Sequence, residues 1–271
     1  MVQLSVILGI GTYRVSFLNL QSILNLSPKK SEFILDIGCG PLARAEIQFG
    51  NIYTIVGMDL SKVSIQRALA ETKLNKLNKN VNFIVADAEH LPFKPNIFKT
   101  ILFIGTICHL PNFIVLMNSL KEIERVSKQD GQIYIPWWRN TLSIGALERD
   151  LAIKIMDLIG IPHNQYLKFK SLSQVEQIIS NEKLKITSIY YSQVFTFPWL
   201  FYNFPQRIQK YLLKIIHILN NKLKGIIWFS RFTSHYTIIC QKTDKNLRCN
   251  PIRFLRIYHR LMSMPFRKFF L

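Results

Sequence analysis

Apolar and polar positions follow two rhythms along this chain. Compact apolar runs rich in Ile, Val and Phe predict strands near 33–37, 52–58, 81–85, 98–104, 131–137, 184–192 and 233–242. Between them, apolar positions recur at three- and four-residue steps and predict helices near 41–50, 61–76, 112–128 and 172–181. Ser61 stands where a side-chain oxygen would cap the helix carrying Ile65, Ala68 and Leu69. Strands alternating with helices imply an α/β fold, a doubly wound and mostly parallel seven-stranded sheet with helices on both faces.

A second kind of helical pattern lies nearer the carboxyl end. Ile208, Leu212, Ile215, Ile216, Leu219 and Leu223 form one stripe, and Lys210, Lys214, His217, Asn221 and Lys224 another. Residues 252–264 repeat the idea, with Arg253, Arg256 and Arg260 opposite Phe254, Ile257, Tyr258, Leu261 and Met262. Charge reinforces the pattern: residues 191–271 hold 14 Lys and Arg against one acid, Asp244, within a chain of net charge +19. Such helices lie in an anionic membrane interface with their apolar face inward. The alternative for 206–224 is a lid helix packed on the protein's own core.

The 271 residues, 49% hydrophobic, are enough for one large core, and no Pro/Gly/Ser-rich linker or internal repeat divides them. Cys39, Cys108, Cys240 and Cys249 show no C-x-x-C pairing and no metal spacing, so a reduced, cytoplasmic setting without a bound metal is expected. The amino terminus lacks a basic leader, and no apolar stretch reaches the roughly 18 to 20 residues that span a bilayer. Peripheral attachment to the inner membrane face is therefore the expected membrane contact.

Candidate chemistry starts at Phe33-Ile34-Leu35-Asp36-Ile37-Gly38-Cys39-Gly40, an apolar run that ends in an acid and a glycine turn. Glycine there lets the main chain turn sharply and a ligand approach it closely. As G-x-G-x-x-A, residues Gly38, Gly40 and Ala43, with Asp59 some twenty residues on, match a dinucleotide-binding fingerprint. As D-x-G-x-G, the same segment adds Asp36 and resembles motif I of the class I S-adenosylmethionine (SAM) methyltransferases.

Later segments separate these readings. Phe83-Ile84-Val85-Ala86-Asp87-Ala88-Glu89-His90-Leu91-Pro92-Phe93, then Phe98-Lys99 and His109-Leu110, resemble in order and spacing a stretch of the UbiE-like (methyltransferase type 11) family. Residues 120–135 resemble that family's helix, turn and fifth strand, so the resemblance spans roughly residues 30–136. It departs from the family at Leu42, where a third glycine is usual, and at Lys99, where an aspartate is usual.

The resemblance implies a Rossmann-like class I methyltransferase sheet closed by an antiparallel pair, 184–192 with 233–242. Together with the charge and helical patterns it leads to an expected division into a cap segment (1–30), a SAM-dependent methyltransferase domain (31–243) with insertions near 138–170 and 195–230, and a basic amphipathic tail (244–271). It also implies that Gly38 and Gly40 bring main-chain N–H groups to the methionine end of SAM while Asp36 orients its ammonium. Asp59 would accept both ribose hydroxyls, Asp87 the adenine amino group, and the Ala88 N–H would meet a ring nitrogen. Met58 and Leu60 would flank the adenine. His109 is the candidate general base, with a structural role as its alternative, and Tyr13 a candidate cover for the cofactor.

Aromatic residues at 195–204 cluster with Leu and Pro rather than with Arg and Lys, which fits an apolar acceptor or membrane contact better than stacked bases. The expected acceptor is an apolar or amphiphilic small molecule of lipid, quinone or isoprenoid type. An RNA or tRNA methyltransferase and a non-catalytic SAM-fold binding protein remain the alternatives.

Overall fold

The computed structural model describes residues 32–77, 80–138, 172–193 and 235–243, with single positions at 154, 158 and 205 and eight between 207 and 219. The cap segment with Tyr13, most of both insertions and the basic tail lie outside the described residues.

Seven strands form one sheet: β1 (Phe33–Ile37), β2 (Thr54–Asp59), β3 (Val81–Val85), β4 (Phe98–Leu102), β5 (Ser127–Trp138), β6 (Leu184–Gln193) and β7 (His235–Lys242). Their order is β3-β2-β1-β4-β5-β7-β6. β1 to β5 run parallel to their neighbours, and β7 lies antiparallel between β5 and β6. The helices described from end to end are α1 (Arg44–Phe49), α2 (Lys62–Leu74), α3 (Phe113–Val126) and α4 (Leu172–Asn181), with a 3-10 turn at Ile107–His109. The expected Rossmann-like, doubly wound sheet is thus the fold.

Among the boundaries that differ from the sequence expectation, two do so for plain local reasons. Residues 41–43 belong to a turn rather than to α1, because Ala43 is left-handed (φ 43°, ψ 48°). β5 begins at Ser127 instead of 131, because α3 runs straight into an extended Ser127 paired with Phe98. The register then shifts before Thr100 meets Gln132, and Lys99 pairs with Asp130 beside that shift. Ser61 caps α2 as expected, its Oγ accepting from the Ser64 N–H at 3.2 Å. Asn112 does the same for α3, accepting from Val115 at 3.0 Å.

Side chains alternate across the sheet with period two, so β1, β2, β4, β5 and β7 feed two cores. On one face Leu35, Ile37, Ile101, Ile133 and Ile238 pack with Leu120 and Ile123 of α3 and Ile179 of α4. On the other, Ile34, Ile55, Leu102, Tyr134 and Ile239 pack with Ala45 and Phe49 of α1. Alternation puts Asp36 on the α1 face with Ile34. Gly57, its register partner on β2, lies there with Ile55.

Candidate functional site

The order β2-β1-β4 makes the carboxyl end of β1 the point where successive strands switch direction across the sheet, and crevices form there in open α/β sheets. The Gly38–Gly40 turn occupies that position, with φ of +76° at Gly38 and +66° at Gly40. Gly38 and Cys39 each donate an N–H to the Met58 carbonyl, at 2.7 and 2.9 Å, tying the turn to β2. The two glycines do different work. A Cβ on Gly38 would stand 2.1 Å from Thr106 Oγ1, which is held in place by donating to the Ile37 carbonyl at 2.6 Å. A Cβ on Gly40 would meet nothing within 4 Å among the described residues.

Asp59 at the end of β2 is fixed on both oxygens. Gly40 N donates to Oδ2 at 3.1 Å and Ser61 N to Oδ1 at 2.8 Å, so the carboxylate joins the two loops. Leu60 beside it is 71% exposed, whereas Met58 is packed in the core with Leu35 and Ile37. The Met58 side chain is therefore not available to flank a ring, since strand alternation turns it into the sheet's other face.

Asp36 is buried, and among the described residues its Oδ1 has no donor. Glu46 of α1, absent from the sequence expectation, is fully buried beside it, and as carboxylates both its oxygens lack a donor among the described residues. Burial pushes the Asp36 carboxyl up to about 7; a hydrogen bond with Glu46 pulls it part of the way down, and the neighbouring Asp59 adds a smaller upward push. Burial and then Asp36 raise Glu46 well above the usual carboxylate range. The Cys39 thiol is pushed up by burial and by Glu46, Asp36 and Asp59, which keeps it protonated and a poor nucleophile. The sequence signal for Glu46 was Gly57, a glycine inside a strand, which marks close approach by another group.

The third loop carries Asp87 and Ala88, both half-buried. Asp87 Oδ1 accepts from Glu89 N at 3.0 Å, and the Ala86 N–H donates to the Asp59 carbonyl at 3.2 Å, so this loop abuts the second. Glu122 and Arg125 of α3 hold it from behind. Arg125 donates to the Phe93 and Leu91 carbonyls at 2.7 and 2.9 Å and forks onto both Glu122 oxygens, while Glu122 Oε2 accepts from Leu91 N at 2.8 Å. The Arg125 hydrogen bonds hold Glu122 below the usual carboxylate range, so its stabilising contribution is present at neutral pH and lost on acidification. Arg125→Ala takes the side-chain donors from the Phe93 and Leu91 carbonyls and leaves Glu122 with the Leu91 N–H alone. It should cost about 2 to 4 kcal/mol in denaturant unfolding, and about tenfold in the affinity of any ligand read by this loop.

His109 ends the 3-10 turn after β4 and is exposed, its N–H donating to the Thr106 carbonyl at 2.9 Å. The structure brings Asp36, Gly38, Gly40 and Asp59 into direct neighbourhood, with Asp87 and Ala88 on the adjacent strand end. His109 comes from the far side of β1. Leu42 is 41% exposed, so the missing third glycine leaves a side chain on the outside of the turn. Among the described residues no group of three or more His, Cys, Asp or Glu could hold a metal ion, and no helix is long and apolar enough to cross a membrane.

Residues 28–192 match a family model described as a methyltransferase domain. Among curated proteins, the uncharacterized protein MJ1252 of Methanocaldococcus jannaschii is 31% identical over 172 residues, covering 63% of this chain and 60% of that one. Cycloartenol-C-24-methyltransferase of Arabidopsis thaliana is 32% identical over 108 residues, 39% of this chain and 31% of its own. The chain thus spans less than two thirds of the length of either relative. Among solved structures, a SAM-dependent methyltransferase of Methanosarcina mazei superposes with a TM-score of 0.56 at 16% identity, over 82% of this chain and 97% of that one.

Proposed function

Because this chain belongs to the methyltransferase-domain family, we propose that it transfers a methyl group from SAM to an apolar or amphiphilic small molecule, of lipid, quinone or isoprenoid type, at a membrane surface. The observation that carries the reading is the convergence of Asp36 and Asp59 on a glycine turn whose second glycine is covered by no described residue. The residues fit the cofactor. The unserved, buried Asp36 Oδ1 wants a donor, which the ammonium group supplies. Asp59 keeps acceptor capacity on both oxygens after its two main-chain bonds, enough for two ribose hydroxyls. Asp87 and the Ala88 N–H would take the adenine edge, with the exposed Leu60 against the ring.

SAM supplies a methyl group already activated on a sulfonium. The chain's task is then alignment in a water-poor site rather than strong acid–base chemistry. Gly38 and Gly40 let the main chain approach the methionine end, and His109 would accept the proton released by the acceptor.

Two features support an apolar acceptor met at a membrane. The described positions between 207 and 219 are helical, and Ile208, Tyr211, Ile218 and Leu219 are each at least 40% exposed with Lys214 also exposed. One relative is named for a sterol acceptor, cycloartenol. The test is calorimetric titration with SAM and, separately, NAD, followed by incubation of methyl-labelled SAM with lipid and RNA extracts. Micromolar SAM binding, no NAD binding and label in the organic-soluble fraction are expected. Label in RNA would replace the acceptor class, and absence of SAM binding would end the reading. Vesicles containing anionic lipid should retain the full chain at low salt and release it at high salt; equal recovery with and without vesicles would remove the membrane surface from the proposal.

A further inference from the structure

Glu46 is a fully buried acid that the methyl-transfer reading leaves without a task. Its position is built. The register puts Asp36 opposite Gly57, and Gly57 opposite Phe83. The Glu46 carboxyl lies over Gly57, Oε1 being 2.4 Å from where a Cβ would stand, with Phe83 2.8 Å from the same point. Any other residue at 57 would expel the carboxyl, so the missing side chain creates its seat beside Asp36. The charged and titratable groups facing it are Asp36 from β1, Asp59 from the end of β2 and Cys39 from the turn, and Phe83 on β3 is apolar.

With both groups ionised, Asp36 Oδ1 and both Glu46 oxygens have no donor among the described residues. Two neighbouring ionised carboxylates are acceptors only and repel each other, and burial magnifies the cost. One retained proton resolves both problems, because a carboxylic acid is a donor. Resting on the SAM reading, we infer that Glu46 is a positioning residue, kept uncharged, whose proton serves Asp36 and thereby ties cofactor capture to proton release from the pair.

The direction follows from the charges. A free Asp36 holds its proton more tightly than an ordinary aspartate, being pushed up to about 7. An ammonium beside it favours the ionised form, so binding expels a proton and tightens as pH rises towards 7. For the unliganded protein the sign is opposite. A raised acid contributes stability at low pH that is lost as pH rises through its folded value, so the free protein should melt lower at pH 8 than at pH 6.

The experiment is titration with SAM between pH 6 and 7.5 in two buffers of different ionisation enthalpy, on wild type, Glu46→Gln and Glu46→Leu. Wild type should bind about eightfold more tightly at the upper pH and release protons. Glu46→Gln keeps an uncharged donor and should retain affinity within about threefold with the same pH profile. Glu46→Leu removes the donor and should move the profile upward by about one pH unit. Infrared spectra of the free protein at pH 7.5 should show a protonated carboxyl that Glu46→Gln abolishes. A flat wild-type profile, or Glu46→Gln losing as much affinity as Glu46→Leu, would overturn the inference. Absence of SAM binding with the infrared band intact would instead sink the cofactor and leave the shared proton standing; if Glu46→Leu does not fold, Glu46→Gln and the spectra still decide.

Discussion

Asp59→Ala should lower SAM affinity by about a hundredfold or more, equivalent to about 3 kcal/mol, while leaving the fold intact. The carboxylate is expected to serve three clients at once. It takes the Gly40 and Ser61 N–H groups, and it offers its remaining lone pairs to the ribose. Removing it deletes two charge-assisted ligand bonds and also one of the three ties of the Gly38–Gly40 turn to β2, the Met58 carbonyl keeping the other two. Asp59→Asn isolates the two parts, because an amide oxygen can still accept from one main-chain donor but carries no charge. It should fall between wild type and alanine in calorimetric titration. A loss below threefold for Asp59→Ala would show that the ribose is read elsewhere.

The paired glycines should divide stability from binding. Gly38→Ala places a methyl 2.1 Å from Thr106 Oγ1 at a φ of +76°. Thr106 cannot rotate away without breaking its bond to the Ile37 carbonyl. Left-handed strain and overpacking together should cost about 2 to 5 kcal/mol of unfolding free energy. Gly40→Ala carries comparable dihedral strain but meets nothing within 4 Å among the described residues, so it should cost only about 1 to 2 kcal/mol. Its methyl projects into the space proposed for the cofactor, and SAM affinity should fall by at least tenfold. Denaturant unfolding with and without SAM separates the outcomes. Equal destabilisation by both substitutions would mean that the turn has one structural role and no ligand face.

Much of this architecture was legible before folding. All seven strands and four helices lie close to where the two apolar rhythms put them, and the Ser61 cap is where its side chain indicated. Asp36, Asp59 and Asp87 stood out because each follows an apolar run and precedes a loop, a local pattern. Lys99 likewise meets Asp130 as a surface pair. The residues that were not legible act across the sequence. Arg125 reaches the Leu91 carbonyl from 34 residues away, and Thr106 reaches Ile37 from 69. Met58 looked like an adenine neighbour because it adjoins Asp59, yet adjacent strand residues face opposite sides, and its side chain serves the core.

The sequence by itself determined the kind of elements, their order and the acids that end the first three strands, because period, capping and turn chemistry are properties of a few consecutive residues. Only the tertiary structure decided which groups share a face. Strand register set Gly57 beside Asp36, the crossover laid α1 over both, and the Glu46 carboxyl thereby entered the space of an absent side chain. That juxtaposition depends on register and packing between separate strands and a helix, which no local pattern encodes. It turns an aspartate at a strand end into one that must share its surroundings with a second buried acid.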